Sequence, residues 1–309
     1  MGYFLIKGGN MSLVVVGSVA LDSISNPHGN VENVLGGSAC YFSCSASYFT
    51  KVNMVGVAGK DFPVEHIEFL ESKNIDTKGL EIVDGKTFHW KGKYEGDLGS
   101  AETLSVELNV FQDFNPVLPE EYKKAKYVFL ANIAPALQKN VLAQVEAPEL
   151  VIMDTMNHWI DNCKEELLEC LKLVNVFVLN EDEAKMLTGK SCLLSSAKDI
   201  LKMGPSHVII KKGADGVFLM SDKDYFATVS YPVYNVIDTT GAGDTFAGGV
   251  VGYLAKTGDL SDDSFRKAVV YGSVMASFTV EDFSLNRIGA VKQEEIDERF
   301  NDLKKITDF

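Results

Sequence analysis

The sequence predicts an α/β fold: a mainly parallel central sheet with a second, smaller sheet standing off it. Two observations carry that prediction. Short, β-branched apolar runs alternate with longer stretches of helical periodicity, the pattern of successive βαβ units. One region, 84–114, breaks the alternation with a polar–apolar rhythm punctuated by glycine, which reads as half-buried antiparallel strands. Composition agrees, because 46% hydrophobic and 23% charged residues in a chain of 309 lie within the globular range.

Taken in order, residues 1–10 carry one Lys and no continuous apolar stretch, so they make a poor secretory signal and read as an N-terminal extension. Strands are expected at 13–16 and 51–57, with helices at 39–48 and 63–72. The alternating segments 87–94 and 103–108 form the antiparallel pair. Buried strands follow at 127–130, 150–153, 174–179 and 208–211, interleaved with helices at 164–173, 181–187 and 197–203. The last third reads as three helices, at 244–255, 261–278 and 292–303.

Charge and cysteines exclude several classes. The balance of 29 basic against 43 acidic residues gives −14, the wrong sign for a protein that neutralises nucleic-acid phosphates. No apolar run reaches the roughly 18 residues of a membrane-spanning helix. Cys40, Cys44, Cys163, Cys170 and Cys192 are odd in number and lack C-x-x-C spacing, so they read as thiols in a reducing, cytoplasmic setting.

The most informative stretch runs from Asn235 to Gly249. A strand-like run ends at Asp238, a turn follows, and an apolar-periodic helix begins near Asp244. The backbone N–H groups of Gly241, Ala242 and Gly243 then stand at a helix N-terminus, unpaired and aimed at an anion. Asp244 is out of place in a loop that merely holds phosphate, because its carboxylate repels one. A base that takes a proton from an attacking hydroxyl explains it; a helix-capping Asp is the structural alternative. Dinucleotide and Walker-type readings fail on glycine spacing, since Phe246 stands where G-x-G-x-x-G needs glycine.

Residues 238–249 resemble the signature D-T-x-G-A-G-D-x-F of the ribokinase-like (PfkB) carbohydrate and nucleoside kinases. Further segments agree in order: Gly17 to Asp22, Leu35-Gly36-Gly37-Ser38, Asn180-Glu181-Asp182-Glu183 as N-x-x-E, and Lys211 to Gly216. The resemblance spans nearly the whole chain from Leu13. It implies a ribokinase-like three-layer α/β/α sandwich with a small β-sheet lid. The core would comprise 11–22, 36–83 and 114–309, and the lid 23–35 and 84–113. It implies Asp244 as base, with Gly241, Ala242 and Gly243 as anion hole, and Asp22, Gly36 and Gly37 as acceptor ligands. Asn180, Lys211, Gly213 and Gly216 would lie along ATP. Glu183 would hold Mg2+ through water, against the ordinary reading of a solvated acidic turn, and Asp238 with Thr240 would hold K+.

Two positions depart from the family pattern. Ala20 and Tyr41 stand where ribokinases carry asparagine, which removes two amides from the sugar site and adds an aromatic ring. Tyr41, Phe42, Phe88, His89 and Trp90 suggest an aromatic-lined acceptor pocket, with lid packing as the alternative; Tyr41 and His89 are taken as acceptor ligands. Asn132, Asp154 and Asn157 follow buried strands at the edge where ligands bind, though turn capping explains such residues equally. Arg266, Arg287 and Arg299, the chain's arginines, all lie outside the lid, which favours an unphosphorylated acceptor.

The expectation is therefore an ATP- and Mg2+-dependent kinase for a primary hydroxyl of a small sugar or nucleoside. An adenosine-type nucleoside kinase and a sugar-phosphate kinase are the enzymatic alternatives, and a nucleotide- or sugar-binding sensor is the non-enzymatic one. A homodimer formed through the lid edge is expected as well.

Overall fold

The computed structural model describes residues 12–96, 98, 99 and 101–308. The extension at 1–10 lies outside the described residues. The strands are β1 (Leu13–Val16), β2 (Ala20–Asn26), β3 (Gly29–Gly36), β4 (Val52–Gly59), β5 (Ile75–Val83), β6 (Phe88–Tyr94), β7 (Ala101–Glu107), β8 (Tyr127–Leu130), β9 (Leu150–Asp154), β10 (Val176–Asn180), β11 (His207–Lys211), β12 (Val217–Ser221) and β13 (Tyr225–Thr228). The helices are α1 (Ser38–Ala46), α2 (Val64–Ser72), α3 (Pro135–Leu142), α4 (Asn157–Asn162), α5 (Lys164–Leu171), α6 (Glu181–Thr188), α7 (Leu193–Leu201), α8 (Ala242–Thr257), α9 (Asp262–Thr279), α10 (Asn286–Ala290) and α11 (Gln293–Ile306).

Nine strands form the main sheet in the order β13-β12-β11-β10-β9-β8-β1-β4-β5. From β11 to β5 every pairing is parallel, whereas β12 and β13 run antiparallel at one edge. Alternate residues of β1 feed two cores. Leu13 and Val15 face a cluster with Phe42, Phe246 and Phe278, while Val14 and Val16 face another with Leu130, Leu167 and Ile200. Helices α1, α8 and α9 thus cover one face, and α5 and α7 the other. That is the three-layer architecture of a sheet buried on both sides.

The second sheet has four strands in the order β3-β2-β6-β7. The pair β6 and β7 is antiparallel as expected, but β2 joins β6 in parallel, so the sheet is mixed. Residues 20–22, counted with the core in the sequence reading, are the first residues of lid strand β2. Strands β5, β12 and β13 and helices α3, α4 and α10 had no counterpart in that reading. Most are short or half-exposed, so their apolar patterns are incomplete; β5, for example, buries only Ile75 and Gly79 of its nine residues, whereas β12 is a fully buried run that pattern alone should have marked. Helix α7 also begins four residues before the expected 197.

Strand β1 is flanked by β4 on one side and by β8 on the other, so the strand order reverses there, and α/β folds place ligands outside the carboxyl ends at such a point. Gly17, Asn132, Asp154, Asn180 and Lys211 all stand at or just past those ends.

Candidate active site

Helix α8 starts at Ala242, two residues earlier than periodicity suggested, and Gly241 caps it in a left-handed conformation with φ 73°. Asp244 consequently lies in the first turn and does not cap the helix. The Ala242 amide donates to the Thr239 carbonyl at 3.2 Å and closes the turn. That differs from the expectation of three open donors. The amides of Gly241 and Gly243 find no acceptor among the described residues. Gly241 needs its missing side chain twice, for the positive φ and because a Cβ there would strike the ring of Tyr41. Tyr41 is thus a floor beneath the loop, fully buried, with its hydroxyl unpartnered.

Burial and the neighbouring Asp154 carboxylate push the Asp244 carboxyl up to about 7, with Lys211 pulling the other way. The group still keeps part of its surface open to the cleft. A carboxylate held near neutrality is matched to accepting a proton from an alcohol.

Asp22, from β2, forms the opposite wall. Burial, then the charges of Asp238 and Asp244, raise its carboxyl to about 7, while the Gly37 amide pulls it down. A Cβ on Gly36 would collide with that carboxylate, and one on Gly37, which has φ 94°, would sit 2.5 Å from the Ser18 carbonyl. Ser18 and Ser38 lock this corner, each amide donating to the other's hydroxyl at 3.0–3.1 Å. Spacing gave no hint of this clamp, which joins residues 20 apart.

The lid is tied to the loop that precedes Gly241. Tyr94 Oη and Thr240 Oγ1 lie 2.9 Å apart, Thr239 Oγ1 donates to the Leu98 carbonyl, and Asn26 Nδ2 donates to the Ile237 carbonyl. Register sets Trp90 beside Asp22 on one strand face and His89 beside Leu21 on the other. His89 therefore points away from Asp22, and its Nε2 lies 3.0 Å from Ser23 Oγ. The indole of Trp90 lies over Gly92, where any Cβ would collide with it.

On the nucleotide side, Lys211 Nζ contacts Asp154 Oδ2 at 3.1 Å and Oδ1 at 3.4 Å. Burial alone would lower the Lys211 pKa, but the Asp154, Glu183 and Asp244 carboxylates outweigh it and hold the group above its ordinary value. Asn180 and Glu183 form a capping box on α6: Glu183 Oε2 accepts from the Asn180 amide and Asn180 Oδ1 from the Glu183 amide. Burial pushes the Glu183 carboxyl up, against the pull of Lys211. Gly213 has φ 56° and open space around it, and Gly216 has φ 94° with the Thr228 carbonyl where a Cβ would stand.

Two expected acceptor ligands have other partners. Asn132 accepts from Trp159 Nε1 at 2.8 Å, and its Nδ2 contacts Met156 Sδ at 3.2 Å. Asn157 is exposed and accepts from the His158 amide in the first turn of α4. A residue missed altogether is Gln138 on α3, fully buried, whose Nε2 donates to the Ala131 and Asp154 carbonyls at 2.9 and 3.0 Å. Its α3 carries a Pro at the start as a weak helix signal, but nothing in the sequence links it to β8 and β9.

Cation fit divides in two. Asp238 Oδ1 accepts from the Thr240 amide and hydroxyl at 3.0 and 2.8 Å, which leaves Oδ2 buried and unpartnered. A buried carboxylate oxygen without a donor suits a monovalent cation. Among the described residues, no group of three or more His, Cys, Asp or Glu could cage a metal ion. Three carboxylates around one ammonium do suit a divalent ion that arrives with phosphates and keeps most of its water.

The pfkB family carbohydrate kinase profile matches residues 10–288. The chain belongs to that family. A cytidine kinase of Thermococcus kodakarensis is 32% identical over 250 residues, covering 79% of this chain and 88% of its own. A ribokinase of Staphylococcus aureus is 34% identical over 252 residues, 76% of each chain. Among solved structures, the Methanocaldococcus jannaschii nucleoside kinase superposes with a TM-score of 0.77 at 19% identity, covering 94% of this chain and 98% of the other. Membership makes the protein a phosphotransferase of the sugar and nucleoside kinase group. No helix among the described residues is long and apolar enough to cross a membrane.

Proposed function

We propose that the protein transfers the terminal phosphoryl group of ATP to a primary hydroxyl of a small sugar or nucleoside, with Asp244 as general base. One observation carries this reading: a carboxylate in the first turn of α8, its pKa raised to about 7, beside helix-terminal amides of Gly241 and Gly243 that have no partner among the described residues. The acceptor hydroxyl gives its proton to Asp244 as its oxygen forms a bond to phosphorus. The bond from phosphorus to the leaving oxygen breaks, and ADP departs with the electron pair. The open amides stabilise charge on the phosphoryl oxygens. Asp22, Gly36 and Gly37 orient the acceptor, and the lid excludes water. Mg2+ bound with the nucleotide would supply charge neutralisation on the phosphates, with Glu183 and Asn180 holding its water shell. Asp238 and Thr240 would hold K+ beside the loop.

Two observations favour a nucleoside as acceptor. The exposed part of the Trp90 indole stands level with Asp22 on the same lid face, a surface on which a base can stack. The cytidine kinase relative points the same way. A phosphorylated acceptor finds less support, because Arg266, Arg287 and Arg299 are all engaged by Asp or Glu outside the cleft.

The test is ADP release measured over a panel of nucleosides, sugars and sugar phosphates. Turnover is expected with at least one nucleoside, and Asp244→Asn should lower kcat by about 10²- to 10⁴-fold while ATP affinity is retained. Near-normal kcat in that variant would overturn the role of Asp244. Silence across the panel alongside tight nucleoside or nucleotide binding would favour a sensor.

A further inference from the structure

We propose that Lys211 is a catalytic group that contacts the transferred phosphoryl, and that Asp154 is the positioning residue that holds it there rather than an acceptor ligand. The inference rests on the phosphotransfer reading above.

Place comes first. Lys211 is the last residue of β11 and Asp154 the last of β9, with β10 between them. The lysine side chain runs over the anion-hole loop: a Cβ built on Gly243 would lie 3.1 Å from Nζ, 3.8 Å from Cε and 3.9 Å from Cδ. The ammonium thus occupies the volume that a side chain at 243 would fill. A phosphoryl group received by the open Gly243 amide comes within hydrogen-bonding reach of it.

Donor count follows. An ammonium has three donors, and Asp154 engages Nζ through both of its oxygens. That leaves the ammonium at least one donor not taken by Asp154. The carboxylate is itself rigidly held, with 3% of its residue surface exposed. Asp154 Oδ1 also accepts from the Thr155 amide at 2.8 Å, and Gln138 grips the Asp154 carbonyl at 3.0 Å. An acceptor ligand has no comparable need to be bonded already to the cation of the phosphate side.

Competition supplies the reason for the pair. Asp154, Glu183 and Asp244 all act on the one lysine. If Lys211 paired with Asp244, the base would lose basicity and the phosphoryl would lose its cation. Asp154, bonded to Nζ through both oxygens, holds the ammonium and offsets its pull on the base, while leaving it free to bond an incoming phosphoryl oxygen. A lysine suits this task because its point charge can follow a moving phosphoryl without a fixed planar geometry.

The experiment is steady-state kinetics on the full chain with the acceptor identified by the panel, varying ATP and acceptor separately. Asp154→Asn should lower kcat by about 10- to 100-fold and leave the acceptor KM within about twofold. Lys211→Met should lower kcat by about 100-fold or more, and Lys211→Arg should recover about tenfold of that loss by restoring the charge. Because either single change strands a buried charge, the double variant Lys211→Met/Asp154→Asn guards against misfolding. It should melt close to the wild type and still show the kcat loss of Lys211→Met alone. A rise of tenfold or more in acceptor KM for Asp154→Asn, with kcat kept, would return Asp154 to the acceptor site and sink the proposal. So would Lys211→Met with normal kcat, or a double variant that regains it. A wild type that turns over nothing in the panel defeats the phosphotransfer reading instead, which separates the two failures.

Discussion

The cleft has two walls joined to the body of the protein in different ways. One wall is α8, which carries the proposed base and is welded to α1 along a seam of small residues. A Cβ on Gly248 would strike the Phe42 carbonyl, one on Gly252 would sit 3.0 Å from Ala46 Cα, and Ser45 Oγ donates to the Thr245 carbonyl at 2.7 Å. All nine residues of α1 are buried, inside a cluster that reaches from β1 to α11. The other wall is the lid, whose own core is Ile24, Tyr94 and Leu98 with Trp90, Val236 and Phe283 packed on it, and whose root is held in the main core by Leu21 and Leu35. It is fastened to the loop at 237–240 by a few hydrogen bonds. The contrast teaches a division of labour: rigidity where the phosphoryl group must be placed, and a light attachment where substrates must enter. Elements with few buried apolar contacts are those that open at low cost.

That comparison can be broken or sharpened by five measurements. The largest effect expected is on pH dependence. Asp244 must be ionised to act as base, and its carboxyl stands at about 7, so kcat/KM for the acceptor should fall by about tenfold per unit below pH 7. Stability should move the opposite way. Asp22 and Asp244 have folded values of about 7 against an ordinary value of 3.8, so the folded state binds protons that the unfolded chain has released. The free protein is then most stabilised by these groups below pH 4 and loses that contribution as pH rises to 7 and beyond. Melting temperatures across this range, with Asp22→Asn flattening the slope, check the sign.

The seam comes next. Gly248→Ala forces a methyl against backbone and should cost about 1–3 kcal/mol of stability in denaturant titration. A neutral result would mean that α1 and α8 are free to slide, and the contrast with the lid would be lost. Trp90→Ala should raise the acceptor KM by about tenfold for a nucleoside and little for a simple sugar, beyond the modest fall in denaturation midpoint that follows from lost packing on Ile24, Tyr94 and Leu98. Equal effects on both acceptors would remove the stacking role. The smallest effect is expected for Tyr94→Phe, which deletes the bond to Thr240. A loss of about 1 kcal/mol in lid attachment should appear as a few-fold change in acceptor KM, with kcat nearly kept.

How much was legible depended on how local the cause was. Strands β1, β8, β9, β10 and β11 were readable because burial on both faces leaves an unbroken apolar run. The anion-hole loop was readable because glycine, aspartate and the helix start are neighbours in the chain. Its first turn was misjudged by two residues, since periodicity does not mark where a left-handed cap begins. The lid aromatics were visible, yet only strand register separated Trp90 from His89. Asp154 and Lys211 were each singled out, for different reasons and in different roles. Their contact spans 57 residues, and no spacing rule reaches that far.

The order of residues by itself determined the layers of the fold and the chemistry of one loop, because apolar periodicity and glycine's backbone freedom act over a few neighbouring residues. Tertiary structure alone decided which charges meet. It set Lys211 between three carboxylates, put Trp90 and not His89 on the Asp22 face of the lid, and left Asp238 Oδ2 without a donor among the described residues. Electrostatics and desolvation depend on distance through space, and that distance exists only once the sheet has brought its strand ends together.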